Sequence, residues 1–146
     1  MKAILQRVQG LSLAGKADSS HWIMMDADQA VGGTDAGSRP LELVLLGLGG
    51  CASMDVLTIL QKKRIALDDF QVILEAERAE DHPKVFTHIK IKFLFYGQNI
   101  PAEAVQRAIE LSESKYCSVS AMLSKTATIS LEYEIKESKS ERSAHE

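Results

Sequence analysis

The fold is decided by one stretch of the chain, residues 39–64, which reads RPLELVLLGLGGCASMDVLTILQKKR. Pro40 follows a loop rich in Gly, Thr, Asp and Ser, and proline is tolerated in the first turn of a helix because its missing N–H is not needed there. Apolar residues then fall on all sides of a 3.6-residue period, and the polar end arrives only at Gln61. We therefore predict one long helix that begins at Pro40 and is buried nearly all round.

Strands are predicted on both sides of this helix. Residues 1–26 alternate weakly and are interrupted by glycine and Asp-Ser turns, which predicts two or three short antiparallel strands. Residues 71–76 and 88–95 alternate clearly, and the turn residues 80–84 between them indicate a hairpin. The clearest alternation, over residues 128–135, predicts a final strand.

Two further helices complete the predicted order of elements. A second, amphipathic helix opens at Pro101, and residues 118–123 read as the first turns of a short third helix. This order favours an α+β fold in which the long central helix and the second helix pack against a mostly antiparallel sheet. We expect a single domain over residues 1–135 and a disordered tail over residues 136–146.

Composition excludes several classes of protein. The 146 residues carry 17 Lys+Arg and 20 Asp+Glu, so a net charge of −3 gives no basic field to hold a nucleic-acid backbone. The uncharged stretch from Leu43 to Met54 is shorter than the ~20 residues that cross a bilayer. Residues 1–10 lack the pattern of a secretion signal. We expect a soluble, cytoplasmic protein that binds neither nucleic acid nor membrane.

Two other motifs are weak. The segment from Gly47 to Ala52 matches the dinucleotide pattern G-x-G-x-x-A, but the predicted helix starts before the glycines, whereas a dinucleotide-binding unit has them open the helix. Close approach of another backbone is the favoured interpretation, and dinucleotide binding is a remote alternative. The four histidines stand far apart and neither cysteine has a second ligand at zinc-site spacing, so we expect no metal site.

The two cysteines are the candidates for chemistry. Cys51 lies within the predicted central helix, where an inert buried thiol is the plain interpretation. Cys117 stands between the second and third helices, which predicts a sulfur at a helix N-terminus, where a thiolate is favoured. A peroxide-reducing protein needs such a pair, because one thiolate attacks the O–O bond and the other thiol converts the sulfenic acid into a disulfide.

The contexts of both cysteines match a known family. Arg39-Pro40-Leu41-Glu42-Leu43 leads into Leu48-Gly49-Gly50-Cys51, and Lys115-Tyr116-Cys117-Ser118-Val119-Ser120 places the second cysteine 66 residues after the first. In these motifs and their spacing the chain resembles the OsmC/Ohr family, from the N-terminal strands through Ile135. The resemblance implies an α+β fold that forms an intertwined homodimer with two active sites at the subunit interface.

The resemblance also implies a chemistry. Well-studied branches of the family are cysteine-based peroxidases that reduce organic hydroperoxides and are recycled by dithiols of the dihydrolipoyl type, with no cofactor beyond that reductant. Carried over by position, Cys51 is the peroxidatic nucleophile and Cys117 the resolving thiol. The family glutamate after the proline is replaced by Leu41, with Glu42 one step later, and Arg7 is the only arginine in the N-terminal strands, from which the family arginine comes. Glu42 and Arg7 are therefore the candidate activating pair.

Two features keep an alternative open. On an ideal helix Glu42 lies roughly 180° around the axis from Cys51. Asp55, one turn after Cys51, disfavours a thiolate unless a cation pairs with it. The chain thus reads as a side branch of the family, and its alternative function is that of a non-catalytic small-molecule-binding or redox-sensing protein.

Overall fold

The structure is a computed structural model that describes residues 1–137. The chain divides into two compact units, Met1–Leu46 and Gly47–Glu146. Lys136, predicted as the start of a disordered tail, is instead the last residue of the final strand, and the rest of that predicted tail from residue 138 lies outside the described residues.

The first unit contains the predicted N-terminal strands. They are β1 (Ile4–Gln9), β2 (Ser12–Lys16) and β3 (Ile23–Met25), and they form an antiparallel sheet in the order β1-β2-β3. Every residue of β1 is exposed, including its large apolar side chains. The prediction of short antiparallel strands over residues 1–26 is confirmed.

The loop that follows β3 is organised by a buried carboxylate, that of Asp26, which is 3% exposed. Its Oδ2 accepts hydrogen bonds from the Thr34 hydroxyl at 2.6 Å and backbone N–H at 3.0 Å, from the Ala36 N–H at 3.1 Å and from the Ser12 hydroxyl at 2.9 Å. These donors, with the Thr34 hydroxyl the strongest, hold the pKa of Asp26 well below its ordinary value. One carboxylate thus orders the polar loop that leads into the long helix.

That helix is α1 (Pro40–Lys62), and it begins where the sequence predicts. The carbonyl of Arg39 accepts from the N–H of Leu43 at 3.2 Å, and the Glu42 carboxylate accepts from the N–H of Arg39 at 2.8 Å. This is the return bond of a capping box, which satisfies an N–H that the helix itself leaves unpaired.

The prediction that α1 is buried nearly all round is wrong within the single chain. Its buried residues form one stripe: Leu48, Gly49, Ala52, Ser53, Val56 and Leu60. Large apolar side chains elsewhere on the helix stay exposed, with Leu46 at 62% and Met54 at 71%. By length and composition alone α1 could cross a membrane, its best window having a mean hydropathy of 2.0, but the core helix of a soluble protein passes the same test.

The second unit holds a mixed sheet of β4 (Asp69–Arg78), β5 (Phe86–Tyr96) and β6 (Thr128–Lys136), in the order β4-β5-β6. The hairpin of β4 and β5 is antiparallel, as predicted, whereas β5 and β6 are parallel. The strands thus form two three-stranded sheets rather than one, and a parallel pair occurs that the sequence did not predict. Its cause is the helical connection from β5 to β6, long enough to return the chain to the same end of the sheet.

The helical connection contains α2 (Ala102–Leu111), a π-helix (Ser112–Tyr116) and α3 (Ser118–Leu123). The amphipathic character predicted for α2 is confirmed, because Val105, Ala108 and Ile109 are buried along one side. The core of this unit also includes the inner face of β5 and an aromatic cluster of Phe70, Phe93 and Phe95, whose ring centroids are 5.2 to 6.3 Å apart.

The glycines of α1 differ in what surrounds them. A Cβ atom added to Gly49 would lie 2.6 Å from Cδ1 of Leu74 in β4, so the end of the Leu74 side chain would have to shift. A Cβ atom at Gly47 or Gly50 would have no described atom within 4 Å. The expected close approach of another backbone is therefore wrong for the described residues. One glycine of the three is tightly packed, and a side chain packs against it.

Candidate active site

Cys51 lies on α1 beside the buried stripe and is half-buried. Asp55 follows it by four residues, so both side chains project from the same side of the helix. The backbone of α1 therefore places a thiol and a carboxylate next to each other without help from any other element. Asp55 is also half-buried.

Cys117 comes from the connection between the two shorter helices. Its N–H donates to the carbonyl of Ser112 at 2.8 Å, closing the wide π-helical turn, and Cys117 is the N-cap of α3. The side chain is 2% exposed. π-helical segments occur frequently at functional sites, because the extra residue redirects the chain. Here it redirects the chain so that the sulfur points inward.

The structure brings the two cysteines together. The sulfur atoms of Cys51 and Cys117 and a carboxylate oxygen of Asp55 all lie within 4.8 Å of one another. A disulfide requires an S–S distance of 2.05 Å, so side-chain rotations that shorten the separation by about 3 Å or less would close the bond. The pair is thus set up for a reversible thiol–disulfide change, although the cysteines are 66 residues apart in sequence.

The electrostatics of Cys117 differ from the sequence prediction. The pKa of Cys117 is raised from the ordinary 9.0 to about 11; burial is the largest cause, and the neighbouring Cys51 thiol acts in the same direction. The N–H of Ser120, 3.4 Å from the sulfur, acts in the opposite direction. The predicted helix N-terminus is present, but the predicted preference for thiolate is wrong because loss of solvent outweighs the backbone donors. Cys117 keeps its proton at neutral pH.

Three polar residues that the sequence analysis did not identify as functional hold this arrangement. The Ser112 hydroxyl, 2% exposed, lies 3.3 Å from Oδ2 of Asp55 and 3.5 Å from the carbonyl of Ala52. The fully buried Ser120 donates from its hydroxyl to the Glu113 carboxylate at 2.6 Å. Ser112 thereby ties the π-helix to α1, and the Glu113 bond fixes the turn around Cys117. The sequence signal available for Ser112 was its helical spacing from the apolar Val105 and Ile109, which predicts a serine on the buried side.

Glu42 and Arg7 belong to the first compact unit. The carboxylate of Glu42 caps α1, and Nε of Arg7 donates to the carbonyl of Gly10 at 3.0 Å. Their role at the thiols stays a prediction. Arg39 is held by the carboxylates of Asp35 and Asp28, which raise its pKa.

A groove of about 320 Å³ borders the thiol pair through Asp55. Its lining consists of Asp55, Thr58, Ile59, Lys62, Lys63, Leu111 and Tyr116. Lys62 is two turns beyond Asp55 and thus about 10 Å away along the axis of α1, and Lys63 directly follows the helix. The groove can take an apolar chain that ends in a polar or acidic group.

The α+β fold with two three-stranded sheets and a long central helix is shared with solved structures of one class of proteins. Residues 33–132 match the sequence profile of the family described as "OsmC-like protein". The chain belongs to this family, whose members are soluble proteins.

Individual relatives place the chain more narrowly. It is 42% identical to protein YhfA of Escherichia coli strain K12 over 135 residues, which covers 92% of this chain and 98% of the relative. A crystal structure of a hypothetical protein from Aquifex aeolicus is similar with a TM-score of 0.83 at 30% identity, covering 94% of this chain and 97% of the other. The organic hydroperoxide resistance protein OhrB of Bacillus subtilis shares the fold, with a TM-score of 0.60 at 16% identity and coverage of 92% and 98%.

Proposed function

We propose that the protein is a thiol-dependent peroxidase that reduces organic hydroperoxides, with Cys51 as nucleophile and Cys117 as resolving thiol. The observation that carries this proposal is the meeting of two unequal thiols, one half-buried and one nearly inaccessible, within 4.8 Å. The hydroperoxide resistance protein that shares the fold supports the choice of substrate.

The unequal burial of the two thiols supports this division of roles. Cys51 is the thiol that an incoming hydroperoxide can reach, and its thiolate attacks the distal oxygen, so an S–O bond forms, the O–O bond breaks and the alcohol leaves with a proton. Cys117 then attacks the sulfur of the Cys51 sulfenic acid, and water leaves as the disulfide forms. An external dithiol, for which we propose a dihydrolipoyl group, reduces the disulfide and returns both thiols.

The second step needs a base, because the Cys117 thiol has a pKa of about 11 and is protonated at neutral pH. The Asp55 carboxylate is within 4.8 Å of both sulfurs and can accept that proton as Cys117 attacks. The same raised pKa protects the resolving thiol from direct oxidation, since the thiolate is the form that reacts with peroxides. That Arg7 and Glu42 activate Cys51 stays a prediction from the family resemblance.

The groove beside Asp55 fits a hydroperoxide with an apolar body. Ile59, Leu111 and Tyr116 offer apolar contact along it, and Lys62 and Lys63 lie toward its far end. An apolar substrate that enters here would bring its O–O bond toward the thiols by way of Asp55. We place the protein in the cytoplasm, where dithiols keep such cysteines reduced.

The experiment is a free-thiol count and intact mass of the reduced protein before and after one equivalent of an organic hydroperoxide. The wild-type chain should rapidly lose both thiols and about 2 Da as the disulfide forms. Cys117→Ser should lose its remaining thiol by forming a sulfenic acid, and Cys51→Ser should keep its thiol. Full peroxide consumption by Cys51→Ser would refute Cys51 as nucleophile. Unchanged thiols in the wild-type chain would favour the non-catalytic binding protein.

We also propose that two copies form a homodimer. Large apolar side chains are exposed on β1, with Ile4 at 54% and Val8 at 61%, and on α1, with Leu46 at 62% and Met54 at 71%. Exposed apolar surface on this scale is typical of interaction sites rather than of the free surface of a monomer.

The dimer is tested by light scattering on a sizing column. Met54→Lys places a charge on the exposed side of α1, which a monomer would tolerate within about 0.5 kcal/mol. In a dimer it buries an unpaired charge, so the measured mass should fall toward that of one chain. Glu103→Lys, which also places a lysine at an exposed position but on the polar side of α2, should leave the mass unchanged. A wild-type chain that runs as a monomer would overturn the proposal.

A further inference from the structure

We propose that Cys51, Asp55 and Cys117 form a binding site for Zn²⁺. Each residue offers one ligand atom, and the two sulfurs and the carboxylate oxygen lie within 4.8 Å of one another. The residues come from two elements, since Cys51 and Asp55 are one turn apart on α1 and Cys117 precedes α3. Sequence spacing alone gave no sign of this site, because its third ligand is supplied by the fold.

The separations are close to those that zinc requires. Zn–S bonds are about 2.3 Å and Zn–O bonds about 2.0–2.2 Å, so ligand atoms at tetrahedral angles are roughly 3.5–3.8 Å apart. From 4.8 Å at most, the three atoms need to approach by about 1 Å. The terminal rotations of a cysteine and an aspartate can supply this without movement of the backbone.

The kind of ligand selects the ion. Two thiolates are too soft for Mg²⁺ or Ca²⁺, which prefer ligand sets made of oxygen, and a carboxylate is too hard for a Cu⁺ site of sulfur alone. Zn²⁺ accepts sulfur and carboxylate oxygen together. With three protein ligands the fourth position stays open to water or to an external thiol, as in zinc sites that exchange ligands.

The surroundings orient the ligands. The Ser112 hydroxyl donates to Oδ2 of Asp55 at 3.3 Å, which is the kind of outer hydrogen bond that fixes a ligating carboxylate. The N–H of Ser120 points to the Cys117 sulfur at 3.4 Å. With both thiols ionised the three residues carry three negative charges, and within residues 1–137 no lysine, arginine or histidine forms an ion pair with Asp55. A divalent cation supplies the missing positive charge.

Binding and peroxide chemistry exclude each other at this site. When Zn²⁺ binds, both S–H bonds release their protons and no electrons are transferred. When the disulfide forms, neither sulfur remains a thiolate ligand. The inference that Zn²⁺ blocks hydroperoxide reduction rests on the proposed function, whereas the inference that Zn²⁺ binds rests on the geometry alone.

The test is a zinc titration of the reduced full-length chain against a chromophoric chelator, with Co²⁺ as a spectroscopic probe. We expect one ion per chain with a dissociation constant below about 1 μM. Co²⁺ should give the sulfur-to-cobalt charge-transfer band and the intense visible bands of tetrahedral coordination. Mutation of a residue that only hydrogen-bonds to a metal ligand already lowers metal affinity by about 10–100-fold. Loss of a ligand itself should cost more, so Cys51→Ser and Cys117→Ser should each weaken zinc binding by about 100-fold or more. Asp55→Asn should weaken it by at least about tenfold.

Asp81→Asn, which removes a carboxylate from the exposed β4–β5 turn, is the matched control and should bind zinc like the wild-type chain. Two further arms use the wild-type chain and so do not depend on the folding of a variant: oxidation to the disulfide and alkylation of the thiols should each abolish binding. Wild-type affinity in either cysteine variant, or a Co²⁺ spectrum without a sulfur band, would overturn the zinc site. The peroxide assay contains no zinc, so failure of the peroxidase proposal leaves this result unaffected.

Discussion

The raised pKa of Cys117 makes its reactivity in the native chain predictable. In the Cys51→Ser variant Cys117 is the only thiol, and burial, the largest cause of its raised pKa, is retained. A shift from 9.0 to about 11 lowers the thiolate fraction at neutral pH by a factor of about 100. Iodoacetamide reacts with the thiolate, so Cys117 should be alkylated at least about 100-fold more slowly in the native variant than in the same variant unfolded in urea.

The assay follows alkylation by intact mass between pH 7 and pH 10, with a metal chelator present. The logarithm of the native rate should keep rising with pH after the unfolded control has levelled off, because burial, the largest cause of the raised pKa of Cys117, does not depend on Cys51. The unfolded control should level off near the ordinary value for a free thiol, about 8.5. A native rate that levels off near the same pH as the unfolded chain would refute burial as the dominant influence on Cys117, and with it the protected resolving thiol.

Two further predictions concern stability and are read from urea unfolding. Gly49→Ala places a Cβ 2.6 Å from Cδ1 of Leu74, the end of a flexible, half-buried side chain that can shift. This shift offsets part of the helix-propensity gain of about 1 kcal/mol, so we expect a smaller gain in the wild-type background and the full gain when Leu74→Ala is also present. An equal gain in both backgrounds would contradict that packing. The pKa of Asp26 is lowered in the folded chain, so its ionised form stabilises the fold above the ordinary value of 3.8, and this stability is lost as the pH falls below about 4. Asp26→Asn should therefore unfold more easily at pH 7 and show a flatter decline in acid, and equal pH dependence in both chains would contradict the role of Asp26.

Local pattern predicted most of the elements, because helix and strand periods depend on neighbouring residues. The start of α1 at Pro40 and the β4–β5 hairpin follow from such signals. The parallel pairing of β5 with β6 does not, since the alternation from Thr128 to Ile135 tells which side chains share a face and not which way the partner strand runs. The direction of β6 relative to β5 depends on the helical connection between them, and the local pattern of residues gives no information on the path of that connection.

The candidate site was predictable in its parts and not in its electrostatics. The family motifs named both cysteines, and helical spacing put Asp55 beside Cys51. The pKa of Cys117 depended on the balance between a helix N-terminus, visible in the sequence, and burial, which only packing determines. Ser112 gave no functional signal of its own in the sequence, and its hydroxyl contacts Asp55 only because the fold places the π-helix beside α1.

The error about α1 is the most informative one. An apolar pattern reports which side chains leave water and does not report what covers them, and in this helix the described chain covers a single stripe. Leu46 and Met54 satisfy the same pattern as the buried Leu48 and Val56, yet the chain leaves them exposed. The sequence of α1 is apolar on every side, but the single chain buries only one side. A second apolar surface could cover the remaining side chains, and we propose that another copy of the chain supplies it. On this reasoning the prediction of full burial would apply to the proposed homodimer, which the mass of Met54→Lys in solution tests.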